Sequence, residues 1–408
     1  MKIIFVFLLI NMFVIQNSWA QSFSFFNREQ ITTLPKNRMI VSDVGFQSEV
    51  NSQYNYKSDL KNLSDNLNRR ISFNDIIKDE KIRGSQLTGM FQANDVDLND
   101  SAGSVSGEIK TLVDGHVPVF GYGITDRISV IVSVPMIHFT MNSNYRFTNS
   151  AATNNFLTKL QQQDQNSVAQ DFKKAFQYSL ETKLSKIGYK WNSQVDQKFV
   201  GDTQIYILQK ISEQEMLSGI LILPTADQAK MDDLFELKGG DRKWGLGAKY
   251  AIMNTYDNGI SLSHSVQNIL LLPTTQEKRL YLTADNDLKE GIDLNTQSSF
   301  VDQIKYQFQV RYEFPTWLGV TAGYNWQYKT AEQFSGSKYE ASVYDLNGSR
   351  TAEELKSIYF ATDINSIKSF LSKNFIIPMA LELGTSIPVG GKNAMAQAVY
   401  QLQGSLFF

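Results

Sequence analysis

The 408 residues carry 39 Lys and Arg against 41 Asp and Glu, a net charge of -2 with an isoelectric point near 6.0, which excludes the basic footprint of a nucleic-acid partner. Cys is absent, and with it a disulfide framework, a thiolate metal site and the lipid-bearing Cys of a lipoprotein. Mean hydropathy is -0.26 with 42% hydrophobic residues, a balance suited to strands of which every second residue meets lipid.

Met1-Lys2 gives a positive start, Ile3 to Ile15 is a nearly unbroken apolar run, and Ser18-Trp19-Ala20 ends in small residues. This pattern predicts a signal peptide over 1–20, leaving 21–408 as one domain. No later stretch approaches the roughly 20 apolar residues of a transmembrane helix.

A first strand is expected near Arg38 to Tyr54. Ile109, Val113, Val117 and Val119 then alternate with Glu108, Lys110, Asp114 and His116, and Ile128, Val130, Val132, Val134 and Met136 form the next stripe. Segments 199–211 and 215–225 follow, then Trp244 to Ile252 and Ile260 to Leu270. The clearest segment is Phe300 to Phe314, where Ile304, Tyr306, Phe308, Val310 and Tyr312 alternate with Lys305, Gln307, Gln309, Arg311 and Glu313. A period of two held over such a length is long for a soluble strand. Leu318 to Tyr328, segment 374–389 and Ala396 to Phe408 complete eleven strands. A barrel with both ends on one side needs an even number. Ala352 to Asp363 is the candidate twelfth, although Leu355, Ile358 and Tyr359 fit a helix about as well.

Short turns at Thr125-Asp126, Ser212 to Gln214, Asn254 to Asn258 and Pro315-Thr316 alternate with long polar stretches near 57–104, 147–198, 227–239, 274–296 and 330–351. Periplasmic turns and extracellular loops alternate in this way. Within 147–198, Val168, Phe172, Phe176, Leu180, Leu184 and Ile187 predict an amphipathic helix capped by Asn166 or Ser167 and stopped by Gly188, with Phe156 to Gln165 adding a turn or two. Trp244, Tyr312, Trp317, Trp326, Tyr328 and Phe408 fall near strand ends, where an aromatic girdle sits.

The elements together predict an all-β fold, a closed antiparallel transmembrane β-barrel of about twelve strands, ten and fourteen remaining compatible, with a helical extracellular insertion at 147–198. Closure is required because an open edge would leave backbone N–H and C=O groups unsatisfied in hydrocarbon. The expected setting is the outer membrane of a Gram-negative bacterium. Outer-membrane lipid is then the lasting partner, and periplasmic chaperones and the barrel-assembly machinery act during biogenesis.

Phe120-Gly121-Tyr122-Gly123-Ile124-Thr125-Asp126-Arg127-Ile128 followed by Val134-Pro135 resembles a hairpin of outer-membrane proteins of the phenol meta-pathway degradation-like family, distant relatives of the long-chain fatty-acid transporters. Val200-Gly201-Asp202 leading to Leu223-Pro224-Thr225, the strand Trp244-Gly245-Leu246-Gly247 and the terminal Phe408 are also similar to that family. Ala226 stands where the family usually has Gly, and the 147–198 insertion is longer than typical. The resemblance implies a barrel that moves hydrophobic or aromatic compounds. It does not extend to the N-terminal hatch of the fatty-acid transporters, because no Asn-Pro-Ala motif exists here and only Gln21 to Asn37 precede the first strand.

Strand parity assigns Asp43, Glu49, Glu108, Lys110, Asp114, His116, Asp202, Gln204, Lys249, Lys305, Gln307, Arg311, Glu313, Asn325, Gln327, Glu382, Gln401 and Gln403 to the lumen. Such a wall is either a wet pathway or an interlocking network that fills a narrow barrel. Catalysis is not expected. His264 and Ser265 are adjacent strand residues and so point to opposite faces, and His116 has no Ser two residues away. Asp95-Val96-Asp97-Leu98-Asn99-Asp100 begins like a calcium loop but lacks Gly at the sixth position and Glu at the twelfth, so no metal is expected, and no cofactor is implied. The expected function is passive uptake of a small hydrophobic or aromatic solute. A surface structural or adhesion protein anchored by the barrel is the first alternative, and an outer-membrane hydrolase the second.

Overall fold

The computed structural model describes residues 33–55, 57–64, 69–74, 84–163, 188–190, 194–228, 231–232, 239–284, 289–314, 317–366 and 378–408. Segment 1–20 and the periodic helix expected over 166–187 lie outside these residues.

Twelve antiparallel strands form the wall. They are β1 (Met39–Glu49), β2 (Ser101–Thr125), β3 (Ile128–Ser133, resuming as Met136–Asn149), β4 (Gln194–Val200, resuming as Thr203–Lys210), β5 (Glu215–Leu223) and β6 (Gly245–Thr255). Then come β7 (Ile260–Leu271), β8 (Val301–Glu313), β9 (Leu318–Lys329), β10 (Glu353–Asn365), β11 (Met379–Lys392) and β12 (Val399–Phe407). Each strand pairs with the next along the chain, and β12 closes on β1 through Ile40 opposite Phe407 to Gln47 opposite Tyr400. The segment Ala352 to Asp363 is therefore a strand. Its inward face, Ser357, Tyr359, Ala361 and Asp363, lies between β9 and β11, and that pairing overrides the helical spacing of its apolar residues.

The sheet is inside-out relative to a soluble protein. On β8 the inward Lys305, Gln307 and Gln309 are 9%, 1% and 3% exposed, whereas the outward Val310 and Tyr312 are 37% and 38% exposed. Leu246, Phe360, Leu383 and Leu402 continue the exposed apolar belt. Trp326 stacks on Tyr328 within it, and Trp244, Trp317 and Phe408 are exposed around it. Burying polar side chains against one another while showing apolar ones outward lowers free energy only where the outside is lipid. No helix among the described residues is long and apolar enough to cross a membrane.

Short turns and both ends of the barrel gather at one rim, the turn end, and the long connections rise from the other, the loop end. At the turn end the residues before β1 enter the lumen. The Leu34 N–H donates to Ser129 Oγ at 2.8 Å, and Thr33 Oγ1 donates to the Asp126 carbonyl at 2.8 Å. Gly123 makes this possible, since a Cβ there would collide with the Leu34 and Pro35 carbonyls. Gly123→Val is expected to expel Thr33 to Asn37 and to cost about 1–3 kcal/mol by overpacking, read as a shift in the denaturation midpoint of the reconstituted barrel.

Strands β3 and β4 break at the same level. Pro135 has no N–H to offer, and its carbonyl accepts from Gly201 N at 2.7 Å. The buried Asp202 carboxylate accepts the N–H groups of Ala226 and Arg242, each at 3.1 Å, and Thr225 Oγ1 accepts from Thr203 N at 2.8 Å. The Gly201-Asp202 and Pro224-Thr225 motifs thus clamp the loop between β5 and β6 onto the strand break.

The loop end is folded. Strand Thr274–Leu280 pairs with Gly291–Ser298, which pairs with Phe334–Ser335. Among the described residues, three helices lie at this end: α1 (Gly84–Ala93), α2 (Ala151–Gln162) and α3 (Ala341–Ser349). Ser150 caps α2 by accepting from Thr153 N at 3.0 Å, and Phe156 of α2 meets Phe91 of α1 edge-on at 5.2 Å. Because β3 runs to Asn149 and β4 starts at Gln194, the connection expected at 147–198 spans 150–193. Tyr344 of α3 packs on Leu280 and Phe334 and donates to Asp293 at 2.5 Å.

Candidate functional site

Cross-strand partners share a face, so the register can be followed around the lumen in rows. At the turn end one row runs Glu313, Gly319, Asp363, Glu382, Gln403, Val44 and Val117. Arg311 crosses it. Its guanidinium donates to Asp363 at 3.0 and 3.2 Å and to Glu313 at 2.7 Å, through space that Gly319 leaves by having no side chain. Glu382 accepts from the fully buried Tyr359 hydroxyl. Further along, Gln403 donates to Ser42 at 3.3 Å and Gln307 to Asn325 at 3.0 Å.

A row nearer the loop end runs Leu208, Ser218, Lys249, Gln267, Lys305, Gln327 and Leu355. The rows change character around the barrel. On β1 to β5 the inward residues are largely apolar, including Val44, Phe46, Val117, Val119, Ile131, Ile220 and Ile222, β6 adds Ala251 and Met253 beside Lys249, and from β7 to β12 they are largely polar or charged. Ser133, Ser218 and Thr321 point inward with hydroxyls that find no protein partner.

Above this, charges from separate connections meet in a buried cluster. Lys329 pairs with Asp241 at 3.0 Å and lies 3.9 Å from Glu353, while Lys243 and Lys278 both pair with Glu332. Burial alone would raise the Glu332 carboxyl, but Lys278, Lys243 and Lys329 around it outweigh that and hold it below the usual carboxylate range. A carboxylate depressed in the folded state stabilises that state at neutral pH and loses the contribution as pH falls through its folded value. Amide exchange around Phe334 and α3 is therefore expected to speed up on acidification and to do so less in Glu332→Gln.

Gln204, Lys249, Lys305, Gln307, Arg311, Glu313, Asn325, Gln327, Glu382, Gln401 and Gln403 all stand on the inward face, and Asp202 sits at the strand break as a loop anchor. Glu108, Lys110, Asp114 and His116 do not line the lumen, and neither do Asp43 and Glu49. The register of β2 is continuous from 103 to 122, so these four β2 residues share the outward face of Phe120 and Tyr122, which are 51% and 43% exposed. Val113, Val117 and Val119, at 1%, 0% and 2% exposed, face in. The reason is that this arc of the lumen is itself apolar, which reverses the usual sense of the alternation. Outside, His138 lies between Asp114 at 3.2 Å and Asp196 at 2.9 Å, and His116 is 3.4 Å from Asp43.

Asp363 and Tyr359 belong to the lumen network and follow from parity once Ala352 to Asp363 is taken as a strand. Lys329 continues the polar alternation of β9, whereas Asp241, Lys243 and Glu332 lie in connections and left no periodic signal. His264 faces outward against Phe308 and Tyr306, with Ser265 buried on the other side. Asp95 of the acidic loop pairs with Lys159 of α2 at 3.2 Å.

No protein-family model and no curated protein sequence matches this chain. The fold is similar to that of an outer membrane channel from Pseudomonas putida F1, at 11% identity over 94% of this chain and 99% of that one, with a TM-score of 0.51. Weaker likenesses include the toluene transporter TbuX of Ralstonia pickettii, at 8% identity over 92% and 90% of the chains with a TM-score of 0.34. The β domain of the Bordetella autotransporter BrkA gives 6% identity over 91% and 100%, with a TM-score of 0.36.

Proposed function

We propose that this chain is an outer-membrane channel of a Gram-negative bacterium for passive uptake of small hydrophobic or aromatic solutes. The observation that carries this reading is the two-sided lumen inside an inside-out barrel: an apolar arc on β1 to β6 faces a polar arc on β7 to β12. An apolar solute loses little on leaving the outer face for the first arc, while the second keeps a wet route beside it. The Pseudomonas putida protein of similar fold is described as an outer membrane channel, and the hairpin motifs point to the same class. The turn end then faces the periplasm and the loop end the exterior, and biogenesis runs through a signal peptide, periplasmic chaperones and barrel assembly.

The test is the rate at which toluene enters cells with an otherwise intact outer membrane. Expression of this chain is expected to raise that rate several-fold. An unchanged rate, with the chain folded and also with residues 150–193 shortened, sinks the proposal.

The folded loop end supports a second reading, in which the barrel anchors a surface module for cell contact. Disrupting α3 and its neighbouring strands would then abolish a contact phenotype and leave solute entry as it was.

A further inference from the structure

We infer that the outer face of β1 to β4 is a dimer interface, on which a second copy of this chain seats about a two-fold axis between β2 and β3. The inference concerns the outside of the barrel and is independent of the solute carried inside it.

The face begins with an ion pair set in the apolar belt. Near the turn end Leu406, Val41, Phe120, Val132 and Ile205 form one outward row. A second outward row runs Leu402, Gly45, His116, Met136 and Val200, and its Leu402, Met136 and Val200 are all exposed. Asp43 stands between these rows and lies 3.4 Å from His116, their side chains 58% and 52% exposed. Ionisable groups on the lipid face of a barrel raise its free energy, and contact with another polar protein surface removes that cost.

Toward the loop end the polar surface widens. The next row is Gln47, Asp114, His138 and Lys198, and the one after it Glu49, Leu112, Thr140 and Asp196. On β5 to β7 the outward residues Leu221, Leu246 and Leu270 keep the wall apolar.

The charges of this face are sorted by strand. β1 and β2 bring the carboxylates Asp43, Glu49, Glu108 and Asp114 and one lysine, Lys110. β3 and β4 bring Arg146 and Lys198 and one carboxylate, Asp196. Two copies in one membrane can share a two-fold axis along its normal, which lays β1 of each over β4 of the other and β2 over β3. The acidic half of each copy then meets the basic half of the other. Rows climb toward the loop end from β1 to β4, since the row of Val41 reaches Asp302 at the loop end of β8. Lys198 is thereby raised close to the level of Glu49, and the axis sets each Glu49 opposite Lys198 of the second copy. Lipid phosphates suit the face poorly, because its carboxylates outnumber its lysines and arginines. From Phe120 to Glu108 it measures about 20 by 40 Å, near the roughly 800 Å² per partner of a standard interface.

The chain has no Cys, so a single introduced one reports cleanly. Thr140→Cys, beside the axis, is expected to give a dimer band with a short bis-maleimide in native outer membranes. Ala322→Cys, exposed on the outer face of β9, should stay monomeric. In the Thr140→Cys background, Glu49→Lys and Lys198→Glu should each weaken the dimer about tenfold or more, since each creates two like-charge contacts. Combining them in one chain should restore the band, and so should co-expressing the two single variants, which match only each other. Within one chain the two positions are about 16 Å apart on a convex wall, too far for a direct pair, so rescue can come only from between copies. Heat-modifiable migration on gels checks that each variant is folded.

Thr140→Cys that links no more than Ala322→Cys overturns the inference. So does a crosslinked band at the mass of a different protein, which would give the face to another partner. A monomer that loses bound lipopolysaccharide on chelation of divalent cations would give it to lipid. Dimers indifferent to both charge reversals, or reversals that neither combination rescues, would overturn the two-fold arrangement.

Discussion

Arg311→Met is expected to lower the stability of the barrel by about 3–5 kcal/mol, the cost of leaving a buried partner charge uncompensated. The Asp363 side chain is 2% exposed and receives two of the Arg311 bonds, and the neighbouring Glu313 takes the third. Without the guanidinium, carboxylates from β8, β10 and β11 share the turn end of the lumen and lose the cation that bridges Asp363 and Glu313. Removing both members of the pair should be far milder, so Arg311→Met combined with Asp363→Leu is expected to recover much of the loss. Denaturant midpoints of the reconstituted protein measure both. Equal losses in the single and double variants would show that the network fills space without contributing through its charges.

The second large effect is expected at the loop end. Lys329→Met removes the cation between Asp241 and Glu353, and with Asp241 and Lys329 each 8% exposed in their side chains the penalty is again about 3–5 kcal/mol. Here it should fall on the connections, because Asp241 belongs to the loop before β6 and Glu332 of the adjoining pairs to the loop after β9. Limited proteolysis is expected to cut within 224–244 and 330–352 while the strands stay protected. Adding Asp241→Asn should restore part of the resistance. Global unfolding with no preferential cleavage would instead mean that the cluster supports the wall and not the loops.

Much of the wall was legible along the chain. Phe300 to Phe314 and Leu318 to Tyr328 alternate cleanly because one face must tolerate lipid and the other a wet interior. The inward placement of Lys305, Gln307, Arg311, Asn325 and Gln327 follows directly. The same rule failed on β2. Both faces of that strand carry apolar residues, Val113, Val117 and Val119 on one and Phe120, Tyr122 and Ile124 on the other, so the charges at 108 to 116 point to the wrong face as the lumen. Continuous pairing through 103–122 ties those charges to the aromatic face. Ala352 to Asp363 was ambiguous for a related reason, since apolar spacing alone does not separate a twelfth strand from a helix until β9 and β11 are seen on either side.

The sequence by itself determined that this chain builds long strands with one polar and one apolar face, because a period of two is a local property that survives without neighbours. The tertiary structure alone decided which face of β2 looks inward, how Gly123 admits Leu34 to the lumen, and how Lys249 and Lys305 come to share a row with Ser218. Those are matters of register between strands far apart in the chain, and a shift of one residue reverses every side chain without changing the pattern from which the strands are read.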